Sequence, residues 1–588
     1  RSYCLRGFMR PANRNVLWAH VFLAELIGQG LREACLAPGS RSTPLVMALE
    51  TFARQGLLRL WVHNDERSAA YFALGLARAS ERPVAVVSTS GTAAANFYPA
   101  VIEADLSEVP LLLLTADRPP ELRGSGANQT IDQVKLFGDA VREYIEAPLP
   151  EANPTSATLR ALRGLAARAW LTAQAPLPGP VQVNFPFRKP LEPIPIEGDV
   201  PPWLEADHPL LQPQAQVQFS LGARLEPSAQ DVAWVLQRLQ AAQRGAILCG
   251  PRSASSGHFP PLLLRLAERF NLPIFADALS GVRFGQEHPL LFGAFDAWLT
   301  RLPRPDFVLR FGDVPTSTVL NDWLDQEGVE QVYIGRLARW RDERFRLQRL
   351  ILADAEAFLE RLTQDEASGS REMPQAWPEG ARAQARSFAQ ALKAARARPD
   401  CEACVFLSLF DFLPPGDALM VANSLPVRHL DQFVPPMEKP VRVFANRGAS
   451  GIDGIVSTGL GLAAHFGHVT MVLGDLAFYH DMNGLLALRR YGLKATILVI
   501  QNDGGGIFHR LPVADFEPPF RELFVTPHGL RFAPTAELYG LQYHFVPDVR
   551  ELAQVLERLD WEAPTLIEVQ SDAQAFERWR REFFKTAI

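Results

Sequence analysis

The sequence predicts an α/β fold built from parallel sheets. Along the 588-residue chain, short apolar runs rich in Val, Ile and Leu alternate with stretches of helical period. Each run is followed by Gly, Ser, Asp or Asn, a pattern typical of strands that are buried on both faces and joined by crossover helices. In chain order, the runs that we interpret as strands are Leu57–Val62, Val84–Ser88, Leu111–Thr115, Val181–Phe185, Ala246–Cys249, Phe307–Phe311, Val469–Leu473 and Ile497–Gln501.

Two polar, proline-bearing stretches divide the chain into three predicted domains. The first is Pro186–Pro213 and the second is Gln364–Ala381. A chain of this length suits about three or four domains, and we place three of them at residues 1–190, 191–370 and 371–588. We expect the middle domain to form a third Rossmann-like sheet, with Gly-rich turns that are structural.

Composition excludes two classes of partner. Acidic residues outnumber basic ones by 65 to 59, which leaves a net charge of −6. That balance provides no broad positive field for nucleic acid. Apolar runs such as Ile497–Ile500 are far shorter than the about 18–20 residues of a membrane helix. We therefore expect neither a nucleic-acid partner nor a membrane span.

Cysteine usage and the first residues predict a cytoplasmic protein. Five cysteines in so long a chain do not make a disulfide framework. Cys401 and Cys404 form a lone C-x-x-C, which we interpret as two partly buried thiols rather than a metal or redox site. The first ten residues lack the apolar core of a secretory signal. We therefore expect a reducing cytoplasm.

Polar residues follow two predicted strands in the last domain. Gly474-Asp475-Leu476 ends one strand, before a helix predicted to begin around Met482, and Asn502 follows the next strand, 27 positions after Asp475. Ligands of open parallel sheets bind at this edge. A carboxylate, an amide oxygen and a backbone carbonyl form a hard-oxygen set suited to Mg²⁺ with a diphosphate. Alternatively, each segment is an ordinary strand-to-helix turn, in which Gly-Asp and Asn-Gly are common.

A matching feature occurs in the first domain. Trp61–Asn64 ends a strand, and a helix is predicted to begin at Asp65-Glu66 and to run through Tyr71 to Ala79. Asp65 is the expected N-cap, and Glu66 in isolation is a first-turn acid favoured by the helix dipole.

The spacing of Asp475 and Asn502 resembles the thiamine-diphosphate motif, in which Gly-Asp-x is followed some two dozen residues later by Asn. The chain departs from that motif at Leu476, where a glycine is usual, and at Asp503, where a second Asn is usual. Seven strings extend the likeness: Ala37–Pro44, Asp65–Arg67, Thr89–Asn96, Thr115–Leu122, Ala127–Thr130, Asn423–Leu425 and Asn446–Gly454. Together they resemble the 2-succinyl-5-enolpyruvyl-6-hydroxy-3-cyclohexene-1-carboxylate synthase family of menaquinone and phylloquinone biosynthesis.

This resemblance implies three domains of the thiamine-diphosphate enzyme type, pyrimidine-binding, central and diphosphate-binding. It also implies decarboxylation of 2-oxoglutarate, followed by Stetter-like addition of the succinyl semialdehyde carbanion to isochorismate. A glutamate at the position of Glu66 hydrogen-bonds the aminopyrimidine ring of the cofactor and promotes its imino tautomer. By similarity, the residues facing isochorismate are Ser40, Arg41, Arg118, Asn128 and Gln129.

The remaining site residues are also implied by the resemblance. Arg428 and Arg447 would hold the succinyl carboxylate, while Ile507 and Phe508 would shape the pocket. The residues expected to contact the cofactor are Glu66, Ser424, Ser450, Gly474, Asp475, Leu476, Asn502, Gly504 and Ile507. The metal, Mg²⁺ or alternatively Mn²⁺, would be held by Asp475, Asn502 and Gly504.

Members of this superfamily combine the diphosphate domain of one subunit with the pyrimidine domain of another, so the resemblance implies a homodimer or a dimer of dimers. Two alternatives stay open at this point. One is another thiamine-diphosphate 2-oxo-acid enzyme, such as an acetolactate synthase or a decarboxylase, which would not need the arginine set. The other is a catalytically silent binding relative, against which the intact Glu66, Asp475 and Asn502 argue.

Overall fold

The computed structural model describes residues 10–222, 224–254, 256–336, 339–364, 374–399 and 401–586. The start of the chain and the predicted boundary at residue 370 lie outside these described residues. Three six-stranded sheets of parallel strands, flanked by helices, confirm the predicted α/β class. Within the described ranges, every helix is too short or too polar to cross a membrane.

The first sheet has the strand order β2-β1-β3-β4-β6-β5. Every residue of its central strands β3 and β4 is buried, as the continuous apolar runs predict. Its strands are β1 Glu33–Leu36, β2 Arg59–Val62, β3 Val84–Ser88, β4 Leu111–Asp117, β5 Glu143–Glu146 and β6 Pro180–Pro186. The helices of this segment are α1 Arg14–Gln29, α2 Thr43–Arg54, α3 Glu66–Ser80, α4 Thr92–Ala95, α5 Tyr98–Leu106 and α6 Ser156–Thr172.

The second sheet has the strand order β12-β11-β10-β7-β8-β9. Its strands are β7 Gly245–Cys249, β8 Ile274–Ala276, β9 Leu291–Phe292, β10 Phe307–Phe311, β11 Glu330–Gly335 and β12 Leu347–Leu352. The helices of this segment are α7 Ala229–Ala241, α8 Phe259–Phe270, α9 Thr318–Leu324 and α10 Ala355–Gln364. The expectation of a further Rossmann-like sheet in the middle of the chain is therefore confirmed.

The third sheet has the strand order β14-β13-β15-β16-β18-β17. Its strands are β13 Ala418–Val421, β14 Arg442–Phe444, β15 His468–Gly474, β16 Lys494–Gln501, β17 Gln542–Val546 and β18 Thr565–Gln570. The helices are α11 Ala376–Ala395, α12 Cys404–Phe412, α13 Leu425–Phe433, α14 Ile455–Phe466, α15 Asp475–Asp481, α16 Leu485–Tyr491, α17 Ala533–Tyr539, α18 Leu552–Glu557 and α19 Ala573–Thr586. Short 3₁₀ turns that matter below are Ser40–Ser42 and Gly506–Arg510.

The described residues form two compact units. The first contains the described part of Arg1–Leu221 together with Asn446–Val469 and Tyr479–Ala495. The second contains the described parts of Gly222–Ala445, Thr470–Phe478 and Thr496–Ile588. This division does not test the three predicted domains, whose boundaries stay predictions.

Within the first unit, α3 and α14 approach each other through glycines. A Cβ atom on Gly75 would lie 2.1 Å from the carbonyl oxygen of Thr458, and one on Gly461 would lie 2.2 Å from that of Phe72. Any larger residue at either position would therefore push the two helices apart. This close backbone contact fixes α3, the helix that begins at Glu66.

Candidate active site

The candidate residues of the first unit lie at one edge of the first sheet. Ser40 and Arg41 follow β1, Glu66 follows β2, and Arg118 follows β4. Because β1, β2, β3 and β4 are parallel neighbours, their carboxyl ends share an edge. Residues from three distant parts of the chain therefore meet where ligands of open α/β sheets bind.

Two arginines at this edge are close enough to influence each other. Arg41 is only 6% exposed, and its Nη1 donates to the Phe187 carbonyl at 2.8 Å. Its buried Nε has no hydrogen-bond partner among the residues that the structure describes. Burial lowers the pKa of Arg41, and the positive charge of Arg118 lowers it further, while Asp117 opposes this effect. A buried guanidinium N–H without an acceptor, beside a second guanidinium, is suited to an anionic ligand.

The loop after β4 closes around Arg118. The Arg118 Nη1 donates to Ser90 Oγ at 2.9 Å, and its Nη2 donates to the Asn128 carbonyl at 2.7 Å. Gln129, with a φ of 56°, donates through Nε2 to the Ser90 carbonyl at 3.0 Å. The side chains of Asn128 and Gln129 belong to exposed residues, as does that of Ser40. Three of the five residues expected to face isochorismate, Arg118, Asn128 and Gln129, are thus linked through contacts with one another or with Ser90, and Ser40 lies beside Arg41.

Glu66 is the first residue of α3 and is partly exposed. The predicted N-cap is confirmed, because the Asp65 carboxylate accepts from the Ser68 N–H at 3.1 Å. The other Asp65 oxygen accepts from Asn483 Nδ2 at 2.7 Å. Asp65 therefore supplies the hydrogen-bond acceptor at the N-terminus of α3. The carboxylate of Glu66 is not needed for that purpose and is available to a ligand.

A buried glutamate holds the loop that carries Arg447 and Ser450. The N–H groups of Gly448 and Ala449 donate to the two oxygens of Glu103 at 2.9 and 2.7 Å. Glu103 is 2% exposed. Arg447 is half-buried and Ser450 is exposed with a φ of 62°. Sequence reasoning missed Glu103, because a glutamate in an amphipathic helix is most often on the surface.

In the second unit, the ends of β15 and β16 meet as the sequence predicts. The Asp475 Oδ2 accepts from the N–H groups of Asn502 at 3.1 Å and Gly504 at 3.0 Å, and its Oδ1 accepts from the Leu476 N–H at 2.7 Å. Burial raises the pKa of Asp475, and these backbone donors counteract the shift. The predicted helix around Met482 is confirmed, because a 3₁₀ turn begins at Met482 and leads into α16 at Leu485. A further short helix that the sequence did not predict, α15, precedes it and begins at Asp475 itself, where a carboxylate in the first turn is stabilised by the helix dipole.

Two further oxygens, Asn502 Oδ1 and the carbonyl oxygen of Gly504, belong to the predicted metal-binding set with the Asp475 carboxylate. The Asn502 Nδ2 donates to Glu402 Oε1 at 2.9 Å, whereas its Oδ1 is buried and, in the described ranges, has no hydrogen-bond partner. Within the described part of the chain, the Gly504 carbonyl accepts one hydrogen bond, from the Gly506 N–H at 2.9 Å, and a carbonyl oxygen has two lone pairs. Gly504 has a φ of 133°, and a Cβ there would lie 2.1 Å from the Val525 carbonyl oxygen. Only glycine suits this position.

These oxygens fit a hard divalent cation. Among the described residues, no three His, Cys, Asp or Glu side chains form a metal-binding group. A metal at this site would therefore depend on one carboxylate, one amide oxygen, one backbone carbonyl and oxygens of its ligand, which is the mixed set that Mg²⁺ accepts with a diphosphate. The unpartnered Asn502 Oδ1 is the observation in favour of that fit.

A second buried glutamate was not foreseen from the sequence. Glu402 is 2% exposed, and its Oε1 accepts from both Asn502 Nδ2 and Ser571 Oγ, each at 2.9 Å. Its Oε2 lies 3.9 Å from the Nδ1 of buried His429, and neither atom has a hydrogen-bond partner. Burial raises the pKa of Glu402 and lowers that of His429.

The cysteines on either side of Glu402 form a disulfide, which corrects the expectation of two thiols. Cys401 and Cys404 are buried, with Cα atoms 5.3 Å apart. That separation is within the usual range for a disulfide, and the turn that opens α12 brings residues three apart onto one side. The short cross-link encloses Glu402.

His528 was also missed by sequence reasoning. Its Nδ1 accepts from the Leu530 N–H at 3.0 Å, so its proton lies on Nε2. That Nε2 lies 3.3 Å from Asp475 Oδ2. A lone histidine in a loop about 50 positions from its partner carries no signal in the sequence.

Ser424 and Arg428 lie at the start of α13. Ser424 precedes the helix with a φ of 70°, which is rare for a serine and is found most often at functional sites. The Arg428 Nη1 donates to its carbonyl at 2.6 Å. Ile507 and Phe508 lie in the 3₁₀ turn after Asn502, where the Phe508 ring packs against Phe524 with centroids 5.6 Å apart.

Comparisons with known proteins identify the type of fold and site. The N-terminal thiamine-pyrophosphate-binding domain of thiamine pyrophosphate enzymes matches residues 18–136, and the C-terminal one matches residues 429–569. A solved structure of benzoylformate decarboxylase from Polynucleobacter necessarius superposes with a TM-score of 0.73 over 96% of this chain and 99% of that chain. At 17% identity, this likeness supports the fold alone.

Curated relatives are similar along nearly the whole chain. The 2-succinyl-5-enolpyruvyl-6-hydroxy-3-cyclohexene-1-carboxylate synthase of Roseiflexus sp. (strain RS-1) is 47% identical over 96% of both chains. The synthase of the same name from Halobacterium salinarum is 42% identical over 97% of this chain and 98% of the relative. This protein therefore belongs to the 2-succinyl-5-enolpyruvyl-6-hydroxy-3-cyclohexene-1-carboxylate synthase family of thiamine-diphosphate-dependent enzymes.

Proposed function

We propose that the protein decarboxylates 2-oxoglutarate with thiamine diphosphate and Mg²⁺ and adds the resulting succinyl semialdehyde carbanion to isochorismate. The addition is a Stetter-like 1,4-addition, and the products are 2-succinyl-5-enolpyruvyl-6-hydroxy-3-cyclohexene-1-carboxylate and CO₂. We place this reaction in the cytoplasm, in the biosynthesis of menaquinone or phylloquinone.

The observation that carries this proposal is the arginine pair at the edge of the first sheet. Arg41 keeps a buried Nε without an acceptor beside the positive charge of Arg118. Isochorismate is a dianion, and guanidinium groups bind carboxylates in a bidentate manner. Such a pair supports an acceptor substrate with two carboxylates over the acceptor of an acetolactate synthase, which carries one, and over a simple decarboxylase, which needs no acceptor.

The other arginines are proposed to bind the first substrate. Arg428 and Arg447 would hold the distal carboxylate of 2-oxoglutarate, which becomes the succinyl carboxylate of the product. Arg428 is fixed through its bond to the Ser424 carbonyl, and the Arg447 loop is fixed through Glu103. Holding that carboxylate at a set distance from the reacting carbon would exclude pyruvate, which lacks it.

Thiamine diphosphate, when bound, supplies the stabilised carbanion that decarboxylation of a 2-oxo acid requires. Glu66 would hold a proton at a ring nitrogen of the aminopyrimidine and so favour the imino tautomer. Asp475, Asn502 and Gly504 would hold Mg²⁺, or Mn²⁺ in its place, against the diphosphate oxygens. The remaining cofactor contacts would come from Ser424, Ser450, Gly474, Leu476 and Ile507, and Phe508 would help to exclude water.

The test is an assay of the purified protein with thiamine diphosphate, Mg²⁺ and 2-oxoglutarate, with and without isochorismate. We expect CO₂ release and the 1,4-adduct, identified by mass spectrometry. Turnover of pyruvate without use of 2-oxoglutarate would overturn the assignment in favour of an acetolactate-type enzyme. An absence of any turnover while the cofactor binds would identify a silent binding relative.

We also propose that the active form is a homodimer, with a dimer of dimers as the larger form. Glu66 belongs to the first unit and Asp475 to the second, and the resemblance implies that partner subunits combine them. Exposed apolar side chains after the Asn502 turn agree with a covered surface in the assembly. They include Phe516 at 67% and Leu523 at 71% exposure.

Mixing two inactive variants tests the shared site. Glu66→Gln should bind cofactor and turn over poorly, and Asp475→Ala should bind Mg²⁺ and cofactor weakly. A mixed dimer of the two has one doubly altered site and one intact site if the partners share sites. Random re-association of equal amounts should then restore about one quarter of wild-type turnover. If each chain forms its own site, no activity returns.

A further inference from the structure

The Asn502 side chain has two ends that differ in chemistry, and only one of them can ligate a cation. Its Oδ1 is an acceptor, whereas its Nδ2 carries two hydrogens and repels a cation. Rotation of the amide by half a turn about its last bond would exchange the two ends. The metal site therefore depends on whatever fixes that rotation.

Glu402 is in the position to fix it. Its Oε1 accepts from Asn502 Nδ2 at 2.9 Å, and the same oxygen accepts from Ser571 Oγ at 2.9 Å. A carboxylate is acceptor-only when ionised, so it selects the Nδ2 end of the amide and directs Oδ1 to the opposite side. There, Oδ1 is buried and without a hydrogen-bond partner.

The carboxylate itself is rigidly placed. Glu402 is 2% exposed and lies between Cys401 and Cys404, whose disulfide closes the turn at the start of α12. Ser571 immediately follows β18, the strand that pairs with β16, at the end of which Asn502 lies. Three separate segments of the second unit therefore converge on one oxygen atom.

We propose that Glu402 is a positioning residue of the metal site, which holds the amide of Asn502 so that its Oδ1 faces the divalent cation. This inference rests on the proposed function only in that Asn502 is taken as a metal ligand. Partners of this kind, one shell outside the metal, typically contribute about 10–100-fold to metal affinity.

Two variants of Glu402 distinguish the effect of its hydrogen-bond-accepting oxygen from that of its negative charge. Glu402→Gln can keep an oxygen at the position of Oε1, and Oε2 has no hydrogen-bond partner among the described residues. We therefore expect Mg²⁺ affinity within about threefold of wild type. Glu402→Met fills a similar volume without an acceptor. We expect it to weaken Mg²⁺ affinity by about 10–100-fold, measured by calorimetry in the presence of thiamine diphosphate and by the electron paramagnetic resonance of bound Mn²⁺.

Glu568→Met is the matched control. Glu568 is also a fully buried carboxylate of the second unit, and it accepts from the Phe532 N–H and the Tyr543 hydroxyl, both at 2.9 Å, instead of from Asn502. We expect its replacement to lower the thermal midpoint and to leave Mg²⁺ affinity unchanged. An equal loss of affinity in this control would show that the effect is structural and would overturn the role of Glu402.

Two other results would also overturn the inference. One is wild-type Mg²⁺ affinity in Glu402→Met, and the other is an equal loss in Glu402→Gln and Glu402→Met. If Glu402→Met does not fold, Ser571→Ala decides the matter, because it removes the second donor to Oε1 and should weaken Mg²⁺ binding severalfold; unchanged affinity there refutes the proposal. Wild-type protein that binds no Mg²⁺ with the cofactor would instead overturn the proposed function.

Discussion

Replacing Arg41 with Met should separate the two substrates of the proposed reaction. The Arg41 Nε is buried and has no acceptor, so it is the donor with most to gain from a bound carboxylate. A hydrogen bond to a charged group contributes about 1.5–3 kcal/mol. Loss of a bidentate contact of about 3–4 kcal/mol corresponds to a fall of about 10²–10³-fold in kcat/KM for isochorismate.

The assay measures the two substrates independently. Steady-state kinetics with isochorismate varied gives kcat/KM, and release of CO₂ from 2-oxoglutarate without isochorismate reports the first half of the reaction. In Arg41→Met we expect kcat/KM for isochorismate to fall and the rate of CO₂ release without isochorismate to stay within about twofold of wild type. The reason is that Arg41 is assigned to the acceptor substrate and not to 2-oxoglutarate.

Arg142→Met is the matched control for this experiment. The Arg142 side chain is 12% exposed and pairs with Asp105, but it precedes β5 and so lies at the opposite edge of the first sheet. Its replacement should lower the thermal midpoint without changing kcat/KM for isochorismate. Unchanged kcat/KM in Arg41→Met, or an equal fall in Arg142→Met, would refute the assignment of the arginine pair.

Three further predictions concern the first unit. Burial raises the pKa of the Asp481 carboxyl from 3.8 to about 7. The folded protein therefore binds the carboxyl proton more tightly than the unfolded chain does. The stabilisation that comes from this protonation is lost as pH rises from about 4 to about 7. Between those pH values, the free energy of unfolding of Asp481→Asn, measured with urea, should rise by up to about 4 kcal/mol relative to that of wild type. A difference in free energy of unfolding that does not change with pH would contradict this. Gly461→Ala should destabilise by about 1–3 kcal/mol, because its Cβ would lie 2.2 Å from a backbone oxygen of α3, whereas Gly164→Ala, with open space around it in α6, should be neutral or stabilising in thermal unfolding. Glu103→Gln should displace the Arg447 loop and raise KM for 2-oxoglutarate about tenfold; a change in KM for isochorismate alone would exclude that role.

The parts of the fold that the sequence predicted are those with a local signal. The strands Val84–Ser88 and Phe307–Phe311 coincide with β3 and β10, since predominantly apolar runs of that length suit strands buried on both faces. The proximity of Asp475 and Asn502 could be predicted from the sequence, because the carboxyl ends of neighbouring parallel strands lie at the same edge of a sheet. The start of α15 could not be predicted, because Gly-Asp after a strand begins a turn as often as a helix.

The residues that the sequence did not reveal act over long separations. Glu103 contacts Gly448, 345 positions away, and Glu402 contacts Asn502, 100 positions away. In the sequence, each is an ordinary helical or pre-helical glutamate, and only burial distinguishes it. The relevant information lies in which segments pack together, which a single sequence does not specify.

Both missed glutamates have the same effect, which is to hold part of the site in place through a buried carboxylate that accepts hydrogen bonds from it. A buried carboxylate can accept hydrogen bonds from several N–H or O–H donors. Each donor that it binds no longer needs a water molecule as its acceptor. The two differ in how many oxygens they use: Glu103 binds the loop N–H groups with both, whereas the side-chain hydrogen bonds of Glu402 to described residues all end on Oε1. A glutamine can replace one acceptor oxygen but not two, so substitution by Gln should be disruptive at position 103 and tolerated at position 402. The same conservative change, made at both positions and compared through substrate KM and Mg²⁺ affinity, therefore distinguishes positioning through hydrogen-bond acceptance from a general requirement for negative charge, which would make both variants equally defective.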